Sequence, residues 1–368
     1  VLFAKTLYLY TFSSPIDKCF SMRKLYTVLL VMFCSAGLFA QDMHFSQYYA
    51  SPLTLNPALT ANINGVFRVA ANYRNQWFTI PTLNSVAPYQ TYQVSFDAPI
   101  LRERLGNDGF GFGGVFYCDK AGDGALTTFS GLASIAYHKA VDRYGRGRIS
   151  LGLQAGVVSK QVKMQDLIFE SQLDNFGWNT SLSNGETNFS NKAILYADVH
   201  FGAMWTHAPK DKFRYYVGAA VNHIPGIAQK GPVESFLNDS RNRVRALYKV
   251  NAGMEFFLNS DYSFSLTPTF LFMLQGNAQQ YNFGLGLNYW VNDDVAVFGG
   301  AFYRVRDAVI LNVGAEFYNV RLGVSYDVNH SNLRAATRAQ GGLEVSAIYI
   351  FKKERPQAIQ YEKYCPNF

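Results

Sequence analysis

The chain has 368 residues, of which 16% are charged and 16% aromatic, with 30 Gly, 30 Phe and 24 Tyr and a formal net charge of +7. So few charges beside so many aromatics exclude an ordinary soluble enzyme, and the absence of a long Lys/Arg block excludes a nucleic-acid partner. No window after Gln41 approaches the roughly 18 continuous apolar residues that a spanning helix requires, which leaves a membrane β-barrel as the expected class.

Taken in chain order, residues 1–21 carry no interpretable pattern and read as an upstream extension. Met22 then opens a secretory signal: Arg23-Lys24 is its charged part, Leu25 to Leu38 its apolar part, and Ala40 the small residue before the cut. Cleavage after Ala40 is expected to leave Gln41 first, where it can cyclise to pyroglutamate and lose its positive charge.

The stretch QDMHFSQYYASPLTLNPALT, Gln41 to Thr60, has a character of its own and is expected to form most of an N-terminal arm over 41–64. Pro52 and Pro57 deny a helix two backbone donors, so the arm is extended and punctuated by turns. Phe45, Tyr48 and Tyr49 offer large apolar faces, while His44, Ser46, Gln47 and Asn56 offer hydrogen bonds that burial would require to be paired. A leader joining a signal to a first strand needs no such aromatics. The arm is therefore expected to lodge in or under the periplasmic mouth of a barrel, or to contact a periplasmic partner.

From residue 65 to 351 the chain repeats about ten residues of alternation and then a turn, the signature of a transmembrane antiparallel barrel. Fourteen strands are expected: Val66–Arg74, Thr91–Ala98, Gly109–Tyr117, Phe129–His138, Ile149–Val158, Ala193–Trp205, Phe213–His223, Tyr248–Leu258, Tyr262–Phe272, Tyr281–Trp290, Val295–Arg304, Val309–Phe317, Val320–Val328 and Leu343–Phe351. In Tyr248–Leu258, Tyr248, Val250, Ala252 and Met254 suit outer-membrane lipid, and Lys249, Asn251 and Glu255 suit a polar lumen. In the last strand Ala347 is expected to face lipid and Ser346 the lumen, so that an arginine at Ser346 should cost less than one at Ala347. Short connections such as Asn259 to Asp261 alternate with long ones such as Ser159 to Lys192 and Ile224 to Val244. Short turns belong in the periplasm, which puts the arm and the tail over 352–368 there. Cys118 and Cys365 then lie on opposite sides of the membrane, and no disulfide between them is expected.

Motifs for catalysis are missing. Gly109 to Gly114 satisfies G-x-G-x-x-G but no helix follows, and Asp119 to Gly124 lacks the ligands of a calcium loop. The six histidines form no HExxH and no Cys/His cluster, so no metal, cofactor or catalytic set is expected. Asp198 and His200 share the inward face of one strand and read as lumen-filling side chains. Arg68, Asn72 and Arg74 share another, where the arginines would seek Asp97, Glu255 or Asp327. Such a network could stiffen or plug the barrel, or hold a docked peptide. Asn75, Gln76 and Trp77 fall at the outer rim, with Trp77 as an interfacial anchor.

The run His44-Phe45-Ser46-Gln47 with Asn56-Pro57-Ala58, the stretch Tyr73-Arg74-Asn75-Gln76-Trp77, Ser95-Phe96-Asp97-Ala98-Pro99, and the ending Cys365-Pro366-Asn367-Phe368 together resemble the PorP/SprF family. These are outer-membrane proteins of the type IX secretion system of Bacteroidetes. The resemblance implies a non-enzymatic barrel that works with type IX machinery components. It also implies a large exported surface protein as partner, one bearing a C-terminal sorting domain, such as a gliding adhesin. On this resemblance His44, Phe45, Ser46, Gln47, Tyr48, Tyr49, Asn56, Pro57, Arg68, Asn72, Arg74, Asn75, Gln76 and Trp77 are candidate partner or lumen contacts. A porin or hydrophobic-solute transporter is the alternative function, and a barrel enzyme a third.

Overall fold

The structure, a computed structural model, describes residues 42–78, 89–100, 105–122, 126–143, 145–162, 169–174, 177–179, 181–183, 193–229, 231–233, 243–292, 294–331 and 334–352. The secretory signal, Gln41, Cys365 and the ending Cys-Pro-Asn-Phe lie outside the described residues.

Fourteen antiparallel strands close into one barrel. They are β1 Phe67–Gln76, β2 Tyr89–Ile100, β3 Gly109–Ala121, β4 Leu126–Ala140, β5 Gly147–Gln161, β6 Ala193–Lys210, β7 Phe213–Asn222, β8 Leu247–Phe257, β9 Phe264–Gln275, β10 Ala278–Trp290, β11 Val295–Arg304, β12 Ala308–Phe317, β13 Val320–Asn329 and β14 Gln340–Phe351. Each expected strand is present, and most run further than the alternation alone marks. Closure joins β1 to β14 in a continuous ladder from Phe67 opposite Phe351 to Gln76 opposite Gly342, so no sheet edge is left open.

The period of two sorts the side chains into an outer and an inner set. Phe96, Phe112, Phe116, Ile135, Leu153 and Leu285 stand exposed on the outside, while Arg68, Gln93, Asp97, Gln154 and Glu344 are buried on the inside. This is the reverse of a soluble protein and the pattern of a barrel in lipid. Among the described residues no helix is long and apolar enough to cross a membrane.

The two ends differ. At one end the connections are compact, such as residues 211–212 and 318–319; at the other lie 162–192 and 223–246, the two longest. We call these the turn end and the loop end. The loop end also carries short connections, at 276–277 and 305–307, so the length alternation is less regular than the sequence suggests. Cys118 lies near the loop end of β3 and is free.

Candidate functional site

The arm does not stop at a mouth of the barrel; it runs up the inside, and almost every residue from Phe45 to Asn62 is buried. Its conformation follows from its prolines. Pro52 begins a single α-turn, Pro52–Leu55 (α1), and Pro57 begins a 3₁₀ turn, Pro57–Leu59. Asn56 between them caps the second turn by accepting the Ala58 N–H at 2.9 Å.

At the turn end, Ala61 takes up a left-handed backbone (φ 57°) and its N–H donates to Asp97. Asp97 also pairs with Arg68 at 2.8 Å, and Arg68 donates to the Leu59 carbonyl at 3.0 Å. His138 meets the Thr60 carbonyl at 2.8 Å. Further in, the Asn56 amide donates to the Ala203 carbonyl at 3.2 Å and to Asn251 at 3.3 Å. Here the arm touches the wall itself. A Cβ added at Gly152 would come within 2.2 Å of the Pro57 carbonyl carbon, and one at Gly202 within 2.0 Å of the Asn56 side chain, so only glycine admits the arm at these positions. Lys249 donates to the Thr54 carbonyl at 2.7 Å, and Gln154 to that of Leu53 at 2.9 Å.

Towards the loop end the aromatic residues find apolar partners. Tyr49 stacks on Phe302 with ring centres 5.8 Å apart, and Tyr48 packs with Leu55, Leu59, Leu271, Met273 and Ile310. Their hydroxyls are bonded too: Tyr48 donates to Thr269 at 2.8 Å, and Tyr49 accepts from Asn312. Next comes a charged knot. The Glu344 carboxylate accepts the Ser46 and Gln47 N–H groups at 2.7 and 2.9 Å, and Ser346 donates to Gln47 at 2.8 Å. One oxygen of Asp327 takes Arg74 at 3.1 Å, Arg304 at 2.7 Å and the Ser46 hydroxyl at 2.7 Å. Arg74 also donates to the His44 carbonyl at 3.1 Å. The two guanidinium groups thus face the buried carboxylates of Asp327 and Glu344, and Arg304 also bonds the half-buried Asp307, so each buried charge has an opposite partner.

The structure therefore gathers His44, Phe45, Ser46, Gln47, Tyr48, Tyr49, Asn56, Pro57, Arg68 and Arg74 into a single packing of arm against lumen. Asn72 faces inward and is buried, with no hydrogen bond to the arm. Asn75, Gln76 and Trp77 sit at the loop end instead, where the N–H of Trp77 donates to Gly341 and its ring meets Tyr89 edge-on.

Three expectations change. The arm traverses the lumen rather than ending at its mouth, because the inner wall offers partners along its whole height. Glu255 pairs with Arg214 at 3.9 Å and accepts from Ser265, leaving Glu344 to help balance Arg74 at 3.6 Å. Ser346 does face inward, but into packed side chains and not into open water. Sequence reasoning also misses His223, which follows β7 and joins Asp198 and His200 across strands; a motif scan sees only chain neighbours.

What kind of barrel this is can now be decided. The profile of the family described as "Type IX secretion system membrane protein PorP/SprF" matches residues 38–349, a span that takes in the arm and nearly the whole barrel. The chain belongs to the PorP/SprF family. No curated protein matches it. Among solved structures it is similar to a Pseudomonas aeruginosa FadL homologue, at 12% identity over 86% of this chain and 96% of that one, with a TM-score of 0.46. The Ralstonia pickettii toluene transporter TbuX aligns at 11% identity over 82% and 94%, TM-score 0.45, and the CymD monoaromatic hydrocarbon channel at 10% over 83% and 93%, TM-score 0.46. In this PorP/SprF chain the family match covers the arm together with its receiving wall.

Proposed function

We propose that this PorP/SprF barrel is a non-enzymatic, plugged docking component of outer-membrane protein export: it receives or retains an exported surface protein at its loop end and is not the conduit that protein passes through. One observation carries the reading. Among the described residues the lumen is filled by the chain's own arm, held by the buried Arg68–Asp97 pair at one level and the Arg74–Asp327–Arg304 knot at another, and the spaces between arm and wall beside His223 and beside Phe302 are about 50 and 60 Å³.

In this reading the turn end is periplasmic, as short turns are in bacterial barrels, and the arm enters from that side after cleavage behind Ala40. The loop end faces outward, where residues 162–192 and 223–246 offer the larger surface. Type IX machinery meets the barrel in the membrane or from the periplasm. The exported partner carries a C-terminal sorting domain, as a gliding adhesin of a Bacteroidetes cell does.

The full chain, purified from outer membranes and placed in planar bilayers, should conduct no steady current and should co-purify with one large exported protein. Shortening 162–192 should spare the barrel and release that protein into the medium. Steady conductance with size-dependent block and no co-purifying protein would instead favour a small-solute channel.

A further inference from the structure

At the loop end of the lumen, where the arm's first described residues reach the wall, two histidines and an aspartate converge. Asp198 and His200 come from β6, and His223 from the residue just after β7. All three are at least 96% buried. His200 Nε2 lies 2.8 Å from Asp198 Oδ2, and His223 Nδ1 lies 2.7 Å from the same oxygen. One ligand-type atom from each residue falls within 4.8 Å of the other two.

The far side of each ring decides what the near side can do. His200 Nε2 is hydrogen-bonded to Asp198 Oδ2 at 2.8 Å, and on its far side Nδ1 faces Gln154 Oε1 at 3.3 Å, an oxygen free to accept because the Gln154 amide nitrogen is committed to the Leu53 carbonyl. His223 Nε2 is bonded to Asp42, whose carboxylate can only accept. A neutral imidazole has a single N–H. When an ion takes the near nitrogens, His200 Nε2 and His223 Nδ1, the single proton of each ring has an acceptor waiting at the far nitrogen, Gln154 for His200 and Asp42 for His223.

The three near atoms, His200 Nε2, His223 Nδ1 and Asp198 Oδ2, are therefore suited to serve as a ligand set. His223 Nδ1 is 2.7 Å from Asp198 yet makes no hydrogen bond, because the oxygen stands beside the direction an N–H would take. Two ligands that share an ion stand side by side in this way. Two imidazole nitrogens and a carboxylate, each imidazole oriented from behind by an acceptor, are the donor set and outer shell of a divalent first-row metal. The neighbouring cation does not compete for these atoms, since Lys249 is spent on the Thr54 carbonyl. His200 and His223 also border the cavity of about 50 Å³ between arm and wall, which leaves room for a water or a ligand oxygen in a further position.

We propose that Asp198, His200 and His223 bind one divalent transition-metal ion, best represented by Zn²⁺, with Asp42 as the outer carboxylate that orients His223. The ion ties two strands together, and through Asp42 it fastens the start of the arm to the wall. The site stands independently of the export reading, since it concerns how the plug is held and not what docks outside.

Zn²⁺ itself is the probe. The full mature chain in detergent is loaded with Zn²⁺, dialysed against a weak chelator, and analysed for zinc per folded chain, folding being judged by heat-dependent mobility in SDS gels. Stoichiometric retention is expected, and Co²⁺ loading should give the visible bands of nitrogen–oxygen coordination without thiolate charge transfer. His200→Gln and His223→Gln should each reduce retained zinc to the level of a chelator-stripped control. Asp42→Asn should weaken affinity about 10–100-fold, and His330→Gln, outside the cluster, should change nothing. The proposal is overturned if the wild type retains no zinc and shows no Co²⁺ spectrum. It is overturned equally if folded His200→Gln and His223→Gln chains hold zinc as the wild type does. Should a variant fail to fold, the wild-type zinc and Co²⁺ measurements decide.

Discussion

The arm and the loop over 162–192 are both irregular segments studded with aromatics, yet they end in opposite environments. Phe45 and Tyr48 in the arm are 4% and 5% exposed, whereas Trp178 in the loop is 50% exposed. Aromatic content alone does not separate them; the polar neighbours do. In the arm Ser46, Gln47 and Asn56 each bond to groups 147 to 298 residues away in the wall, such as Glu344 and Asn251. In the loop the described polar groups bond to one another: Gln172 donates to the Leu182 carbonyl at 2.8 Å, Asn179 donates to Asp174, and Leu173–Asp174 pairs with Gly177–Trp178 in a small hairpin. One segment is completed by the barrel. The other, among its described residues, is bonded within itself and leaves Trp178 half exposed.

Five substitutions, two of them a pair on one strand, would break or sharpen this contrast. The largest effect is expected from Asp97→Ala, which strands the buried Arg68 and removes the acceptor of the Ala61 N–H; the loss should be about 3–5 kcal/mol in denaturant unfolding of the reconstituted barrel. A loss below about 1 kcal/mol would place the arm's turn-end anchor in water. Second, Ala347→Arg puts charge into lipid and should cost about 2–4 kcal/mol near the bilayer midplane. Ser346→Arg on the same strand should cost at least as much, because the new side chain must displace Gln47. If Ser346→Arg proves the milder of the two by heat-dependent gel mobility, the lumen behind it is not packed.

Third, Asn56→Ala removes a cap and leaves its wall acceptors unpaired, with an expected loss of about 1–3 kcal/mol. An unchanged unfolding midpoint would show that the centre of the arm is not bonded as described. The smallest effect belongs to the loop: Trp178→Ser should alter stability by no more than about 0.5 kcal/mol, while lowering the surface-bound fraction of the exported partner. A large stability loss there would make the loop part of the fold and erase the contrast with the arm.

Much of the barrel was legible because alternation is a local signal. Lys249, Asn251 and Glu255 point inward and Tyr248, Val250 and Met254 outward simply because successive residues on a strand face opposite ways, and fourteen such runs are countable. Arg68 and Arg74 could be assigned to the lumen by the same logic, and Asp97 and Asp327 could be named as partners because a buried charge has few options. The course of the arm was not legible. Its contacts with Glu344, Thr269 and Asn251 join residues with no sequence relation, and the glycines that receive it, Gly152 and Gly202, look like any small residues on an inner face. Their positions were the available clue, since inward glycines mark where another backbone comes close. The same limit hid the link from Asp198 and His200 to His223 and Asp42, which exists only once β6, β7 and the arm are assembled.

The central claim is that the arm is part of the folded interior, and amide hydrogen exchange on the folded full chain, followed by mass spectrometry, tests it most directly. The N–H groups of Ser46, Gln47, Ala58, Leu59 and Ala61 all have acceptors inside the barrel. They should exchange as slowly as the strands β1 and β14 that surround them, while residues 177–183 of the loop exchange many times faster. An arm that exchanges at the rate of the loop would contradict the account, because it would mean that the lumen is not filled in the native protein.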